Sequence, residues 1–303
     1  MKKRNYSPKQ ILLIVLLSLG MIVASVVLNQ IHPPKSSKTS GETIQRGKVQ
    51  NSDAGEYQGG AMEEDINVTN SAISASEQRK KELEEQSENM ATFLQGPKSW
   101  KERREWSGKW GKEMYDGSGF GGFGCGLCCM ANIYTSYSPY VCSPVDMYRY
   151  AQKVTEYGGY GAIDWGYMKE TLKSAGFTSD VWRKPKKYET FRKKIAASLA
   201  TIVVVSSNDS DCYWKDTPGH YVTILQYNEI TDQIFLGDSG DPSHNRQWVD
   251  LKKIYKSLKK ANNWQYLAVT TYDESKDKWK HKKISGSCVL PEKWQSYQKP
   301  ESN

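Results

Sequence analysis

Cysteine, histidine and aspartate stand at three places where backbone pattern alone gives them chemical promise. Residues Gly117 to Tyr137 read GSGFGGFGCGLCCMANIYTSY. Five glycines end at Gly124, and an apolar repeat at Leu127, Met130, Ala131 and Tyr134 then begins with helical spacing. Cys125 therefore falls in the first turn of a helix, behind a backbone that allows close approach. Unpaired N–H groups and the helix dipole favour a thiolate there, which makes Cys125 a candidate nucleophile.

Histidines occur at 32, 220, 244 and 281. His32 lies in a polar linker and His281 in a lysine-rich tail, where neither is expected to be held rigidly. His220 opens a strand directly after Pro218-Gly219, so its ring can be fixed at the rim of a sheet. That strand, HYVTILQ, and the following QIFLGD flank a polar turn and form a hairpin. A three-residue turn centred on Glu229 or Ile230 puts His220 and Asp238 on one face, where the carboxylate can orient the imidazole. A four-residue turn reverses the parity and brings Asp241 forward instead. The bland reading of Gly237 to Pro242 is a turn and nothing more, since its residues are turn formers.

Other uses of cysteine fit less well. Cys125 and Cys128 form a C-x-x-C, but a glycine loop precedes it instead of the buried strand of a βαβ redox unit. A zinc site needs a second close pair, and Cys142, Cys212 and Cys288 stand singly. Disulfides suit an exported domain, yet setting Cys125 aside leaves an odd number. Cys128 and Cys129 read as small core residues of the helix.

The elements that must position these residues follow in order. Ser143-Pro144-Val145-Asp146 carries a capping serine, a first-position proline and an acid at the third, and it starts a helix to Val154. A second helix spans Asp164 to Ala175 with Gly176 as its stop, and a third spans Tyr188 to Leu199. Strands are expected at Ile202–Val205, in the hairpin, and at Tyr266–Tyr272, with Val249–Leu258 helical. Helices followed by an antiparallel sheet predict an α+β domain.

Lys2, Lys3, Arg4 and Lys9 precede an uncharged run from Ile11 to Leu28. At roughly 27 Å this run spans a bilayer core, and the basic residues before it place the rest of the chain outside. No small-x-small cleavage site closes it, although a cleaved signal peptide would leave the domain on the same side. Residues 32 to 97 are rich in Ser, Gly, Gln, Glu and Lys and read as linker, with a charged stalk helix from Ser76 to Leu94. The expected organisation is a basic tail at 1–10, an anchor at 11–31, linker at 32–97 and a domain at 98–303. There are no internal repeats.

Mean hydropathy is -0.70, low because of the linker. The domain, by contrast, concentrates most of 10 Trp and 19 Tyr, which suit a half-wet groove. The net charge of +8 is dispersed over the two ends of the chain instead of forming one aromatic-interleaved patch. That argues for a solvated or envelope-facing surface and against nucleic acid.

The segments FGCGLCCMANIY, CSPVDMYRYA, PGHYVTILQY and IFLGDSGDP, with Trp248–Tyr255 after them, together resemble the C39-like branch of the papain-like cysteine peptidases over about 100 to 272. The resemblance implies a papain-like cysteine peptidase fold with Cys125 as nucleophile, His220 as general base and Asp238 as orienting acid. One departure is the absence of a glutamine in Gly117–Gly124, where the family places an oxyanion donor. Backbone N–H groups of Cys125 and the glycine loop, or Ser118, then have to serve. The expectation is a membrane-anchored extracytoplasmic cysteine peptidase or amidase acting on a peptide or cell-wall peptide, with no cofactor and no metal. The alternatives are a silent domain that binds a surface partner through its Tyr/Trp groove, and a thiol redox protein.

Overall fold

Each of the first helices carries its own start signal. The structure, a computed structural model, describes residues 77–208 and 212–299. Helix α1 (Cys125–Tyr137) is buried from Cys125 through Thr135, so it is apolar all round and sits centrally. Helix α2 (Pro144–Val154) begins in a capping box in which Ser143 accepts from the Asp146 N–H and Asp146 accepts from the Ser143 N–H. Helix α3 (Trp165–Ser174) is capped by Asp164, which accepts from Tyr167 N–H. Caps of this kind are worth about 1 kcal/mol each.

Two assignments change. Strand β1 (Ala175–Trp182) follows α3 directly, so a strand comes before the third helix, α4 (Tyr188–Ala196). Gly176, at φ 86°, is the second residue of β1, just past the Ala175 cap of α3, and a Cβ there would lie 2.7 Å from the Asp273 carbonyl oxygen. The second change concerns Val249–Leu258, which divides into strand β5 (Gln247–Asp250) and helix α5 (Leu251–Ser257). The other strands are β2 (Ala200–Val205), β3 (His220–Asn228), β4 (Gln233–Gly237) and β6 (Tyr266–Asp277).

These strands make one sheet in the order β1-β6-β2-β3-β4-β5, and every neighbour is antiparallel. The fold is thus a mixture of helices and antiparallel sheet. Strand β2 is buried on both faces. Its Ile202 and Val204 join the core formed with α1, α2 and α3, and its Val203 and Val205 join a second core with Phe191 of α4 and Ile254 of α5. A strand that is apolar from Ile202 through Val205 between two helical layers is what two-sided burial requires.

Residues 90–95, within the segment read as linker, are buried. Phe93 is fully enclosed and meets Trp106 edge-on at 5.1 Å between ring centroids. Ala91 N–H donates to Ser136 Oγ and Phe93 N–H to Asn132 Oδ1, both on α1. The C-terminal tail closes over the same layer, with Trp106 N–H donating to Val289 O and Trp294 against Trp106. His281 is held as well: its Nδ1 lies 2.9 Å from Val141 O and its Nε2 3.7 Å from Asp146 Oδ1. Little in a largely polar, charge-rich stretch announces such a strap, because its apolar run is short, Met90–Ala91 and Phe93–Leu94. The run Ile11–Leu28 lies outside the described residues, and among the described residues no helix is long and apolar enough to cross a membrane.

A chain cut at residue 98 is expected to melt far below one beginning at residue 77. Loss of a buried phenylalanine alone costs about 3–5 kcal/mol. Equal thermal midpoints for the two chains would show that the strap is dispensable.

Candidate active site

Cys125 is the first residue of α1, with Gly124 before it as N-cap. Its neighbour Gly126 is a packing requirement, since a Cβ there would lie 2.7 Å from Ile163 Cγ2 and 3.4 Å from the Tyr221 ring. The helix end is thereby pressed against the start of β3. The sulfur faces the Phe123 carbonyl at 4.0 Å, and the groups that favour its ionisation are the His220 imidazole and the main-chain N–H groups of Tyr221 and Gly126.

His220 is the first residue of β3, and its Nε2 lies 2.8 Å from Asp238 Oδ1, leaving Nδ1 for the thiol. The route to this pairing differs from the three-residue turn read from sequence. Asn228 pairs with Gln233, so the turn holds four residues, 229–232. By parity alone that would have turned Asp238 to the wrong face. A bulge corrects it: Ile224 pairs with Leu236 but Gln226 with Phe235, so Leu225 is the extra residue. Tyr137, the last residue of α1, donates its hydroxyl to the Leu225 carbonyl and holds the bulge open. The corrected register, carried past Thr223 and Gly237, sets Asp238 opposite Val222 and diagonal to His220. Asp241 instead accepts from Ser243 N–H and Oγ–H.

Asp238 is completely buried. Its Oδ1 also accepts from the N–H groups of Gly240 and Asp241, and its Oδ2 accepts from Trp214 Nε1 at 2.8 Å. Burial alone would push this acid up. The hydrogen bonds from His220 and Trp214, the nearby His244 imidazole and the His220 charge outweigh it and hold the carboxyl far below its usual range. Burial likewise disfavours the His220 cation, but Asp238 and Cys125 overcome it and push the imidazole up to about 10. For Cys125 burial again opposes ionisation, and the His220 bond and charge with the two backbone donors bring the thiol below its ordinary value. The shifts run toward a thiolate beside an imidazolium, with a carboxylate behind it.

Cys128 and Cys129, one turn on, are almost wholly buried and are pushed well above the ordinary thiol range, chiefly by burial. Cys125 and Cys128 both carry thiols. Ser118 lies in a short two-stranded ribbon with Met114 and Tyr115, apart from the α1 terminus in sequence by a further turn of helix, Phe120–Phe123.

Sequence reasoning missed Gln95. It lies 30 positions before Cys125 in sequence, outside the glycine loop where a glutamine was sought, yet the strap carries it to the site. Its Nε2 donates to Gly121 O at 2.8 Å, its Oε1 accepts from Ser239 Oγ at 2.7 Å, and its N–H donates to Ser239 O. Gln95 therefore ties the glycine loop before Cys125 to the residue after Asp238. Trp214 and Asn245 were missed too. The tyrosine and tryptophan just before Pro218-Gly219 were the available signal for Trp214. Asn245 accepts the Asp238 N–H and donates to Thr92 O.

No protein-family model matches the sequence, and no curated protein matches it. Solved structures similar to the chain are C39 peptidase domains. The peptidase domain of Streptococcus ComA, described as a bi-functional ABC transporter involved in quorum sensing, is 16% identical, with a TM-score of 0.34 over 48% of this chain and 90% of that one. A protein from Bacillus anthracis described as a C39-like peptidase is 12% identical, with a TM-score of 0.33 over 50% of this chain and 90% of that one.

Gly126→Ala is expected to displace the start of α1 from Ile163, because the contact at 2.7 Å is with a branched side chain packed in the core. The cost should be about 1–3 kcal/mol, read as a fall in denaturant midpoint. Adding Ile163→Ala should recover part of it, and an additive double variant would place the strain elsewhere.

Proposed function

We propose that this chain is a cysteine peptidase or amidase with Cys125 as nucleophile, His220 as acid and base, and Asp238 as the group that orients and charges His220. The observation that carries this reading is one imidazole 2.8 Å from a buried carboxylate, with the thiol of Cys125 at a helix N-terminus as its other electrostatic partner. The thiolate attacks a peptide carbonyl, and the His220 imidazolium passes its proton to the leaving nitrogen. Neutral His220 then takes a proton from the water that cleaves the thioester. Gln95 is the side-chain donor for the oxyanion: one N–H of its amide is held on Gly121 O and the other is left for the substrate.

The substrate class is a peptide, of a protein or of the cell wall. The supporting features are the basic amino terminus followed by an uncharged run, which would anchor the chain with this domain outside the membrane. Protease added to intact cells should then remove the domain. Protection would reverse the orientation, and a mature chain starting after residue 28 would make the run a signal peptide.

The signs of the shifts fix the pH window. A lowered thiol pKa and an imidazole raised to about 10 leave the ion pair populated between the two, so Cys125 should be alkylated by iodoacetamide well below the pH of a free thiol at about 8.5. His220→Ala removes the strongest lowering influences while burial remains, so the thiol should rise and its rate at neutral pH should fall at least about tenfold. Gln95→Ala should leave alkylation intact but cost about 10²- to 10³-fold in peptide cleavage. An ordinary thiol profile at Cys125, indifferent to His220→Ala, would reject the pair and leave a binding domain as the better account.

A further inference from the structure

Asp238 has a second imidazole beside it. His244 Nδ1 lies 3.5 Å from Asp238 Oδ2 and 3.7 Å from Asp241 Oδ2, and at those distances it is a buried polar atom with no hydrogen-bond partner. The ring is fixed by its neighbours: it lies over Tyr213 at 4.2 Å between centroids and meets Trp214 edge-on at 5.9 Å. Trp214 in turn donates to the same Asp238 oxygen that His244 faces. The ring is thus aimed between two carboxylates without bonding to either, a geometry that suits an added charge better than a neutral donor.

The groups around it can be named from each side. Asp238 and Asp241 face it from its own corner, and Tyr213 and Trp214 from the loop before β3. Lys253 of α5 stands 5.8 Å over the Tyr213 ring, and His220 is reached through Asp238. The nearest opposite charges are the two carboxylates, and the competing cation is His220.

We propose that His244 is a positioning residue that couples the Cys125–His220 pair to acid: by gaining a proton between Asp238 and Asp241, it takes a share of the Asp238 charge away from His220. This rests on the cysteine peptidase reading above and adds a control to the same site. The chemistry is a single proton balance. Neutral His244 leaves the whole carboxylate charge to His220, which stays an imidazolium and keeps Cys125 a thiolate. One proton taken up at His244 places a second cation against the same carboxylate, so the His220 cation is less favoured and its own proton passes to the Cys125 sulfur: thiolate, imidazolium and neutral His244 become thiol, neutral His220 and charged His244, and the thiolate is lost at a higher pH than it otherwise would be. The direction of the His244 shift, upward through its contact with Asp238, is in keeping with this role.

The test uses the full chain with its histidines labelled with ¹⁵N, and compares wild type with His244→Asn, His244→Phe and Asp241→Asn. Asparagine keeps a donor near Nδ1 without charge, phenylalanine keeps the stack on Tyr213, and Asp241→Asn weakens the proton site without altering His244 or Asp238. In wild type the His220 ring signal should show an inflection where His244 titrates, and Cys125 alkylation should fall on the acid side with single-proton steepness at that same pH. In His244→Asn that inflection should vanish, and the fall should move to lower pH by about one unit. Asp241→Asn should move it the same way by less. Acid limbs that coincide in wild type, His244→Asn and Asp241→Asn, with no inflection at His220, overturn the proposal while leaving the peptidase reading in place. An ordinary thiol profile at Cys125 beside a persisting inflection overturns the peptidase reading and upholds the His244 coupling.

Discussion

A carboxylate with no exposure to water dominates this structure. Ionised Asp238 has lost its hydration, and only hydrogen bonds and opposite charge make that state tolerable, since breaking a buried charged pair costs about 3–5 kcal/mol. Its partners come from separate parts of the chain: His220 from β3, Trp214 from the loop before it, Gly240 and Asp241 from the corner that follows. The corner needs its own support. Asn245 holds the Asp238 main chain and reaches Thr92 O, while Arg246 spans to Met90 O and Ser87 O. The strap before the domain is therefore part of the machinery that keeps one charge buried.

The second constraint is arithmetic. Side chains alternate along a strand, so register can be right or wrong only by whole residues. A four-residue turn between β3 and β4 would separate His220 from Asp238, and the single bulge at Leu225 brings them back to one face. Because Tyr137 at the far end of α1 holds that bulge, the helix that presents Cys125 at its start also sets the register of His220 at its finish. Cys125 and His220 are thus tied together through the two ends of one helix.

Much of this was legible before any coordinates, and the legible parts share a cause. Helix starts at Ser143 and Asp164 rest on local hydrogen bonds, and β2 on an unbroken apolar run, so short windows of sequence suffice for them. The placement of Cys125 at a helix start and of His220 at a strand start belongs to the same class. What escaped is what depends on contact between distant segments. Strand β1 has weak alternation and owes its state to pairing with β6. Gln247–Asp250 reads like the start of the helix that follows, yet pairs with β4. The turn length was misjudged, and the bulge that compensates is fixed by a tyrosine 88 positions away. Gln95 was sought near Cys125 in sequence, whereas the chain delivers it from the strap. Local chemistry names the reactive residues, and tertiary contact decides which others reach them.

The same division explains why one cysteine of three in α1 is set apart. Cys125, Cys128 and Cys129 are all buried on one helix, and burial pushes each of them toward the neutral thiol. At Cys128 the main relief comes from the nearby Ser239 hydroxyl, and at Cys129 from that of Thr223, and in both burial prevails. At Cys125 a cation and two main-chain N–H groups act together, and burial loses. That cation is itself buried and persists only because Asp238 is ionised beside it. The centre thus holds two negative groups and one positive, an excess that Trp214 and the Gly240 and Asp241 N–H groups spread over neutral donors. An anionic excess enclosed in this way attracts a further proton, and among the described residues the imidazole standing closest to the carboxylate without a hydrogen bond is His244.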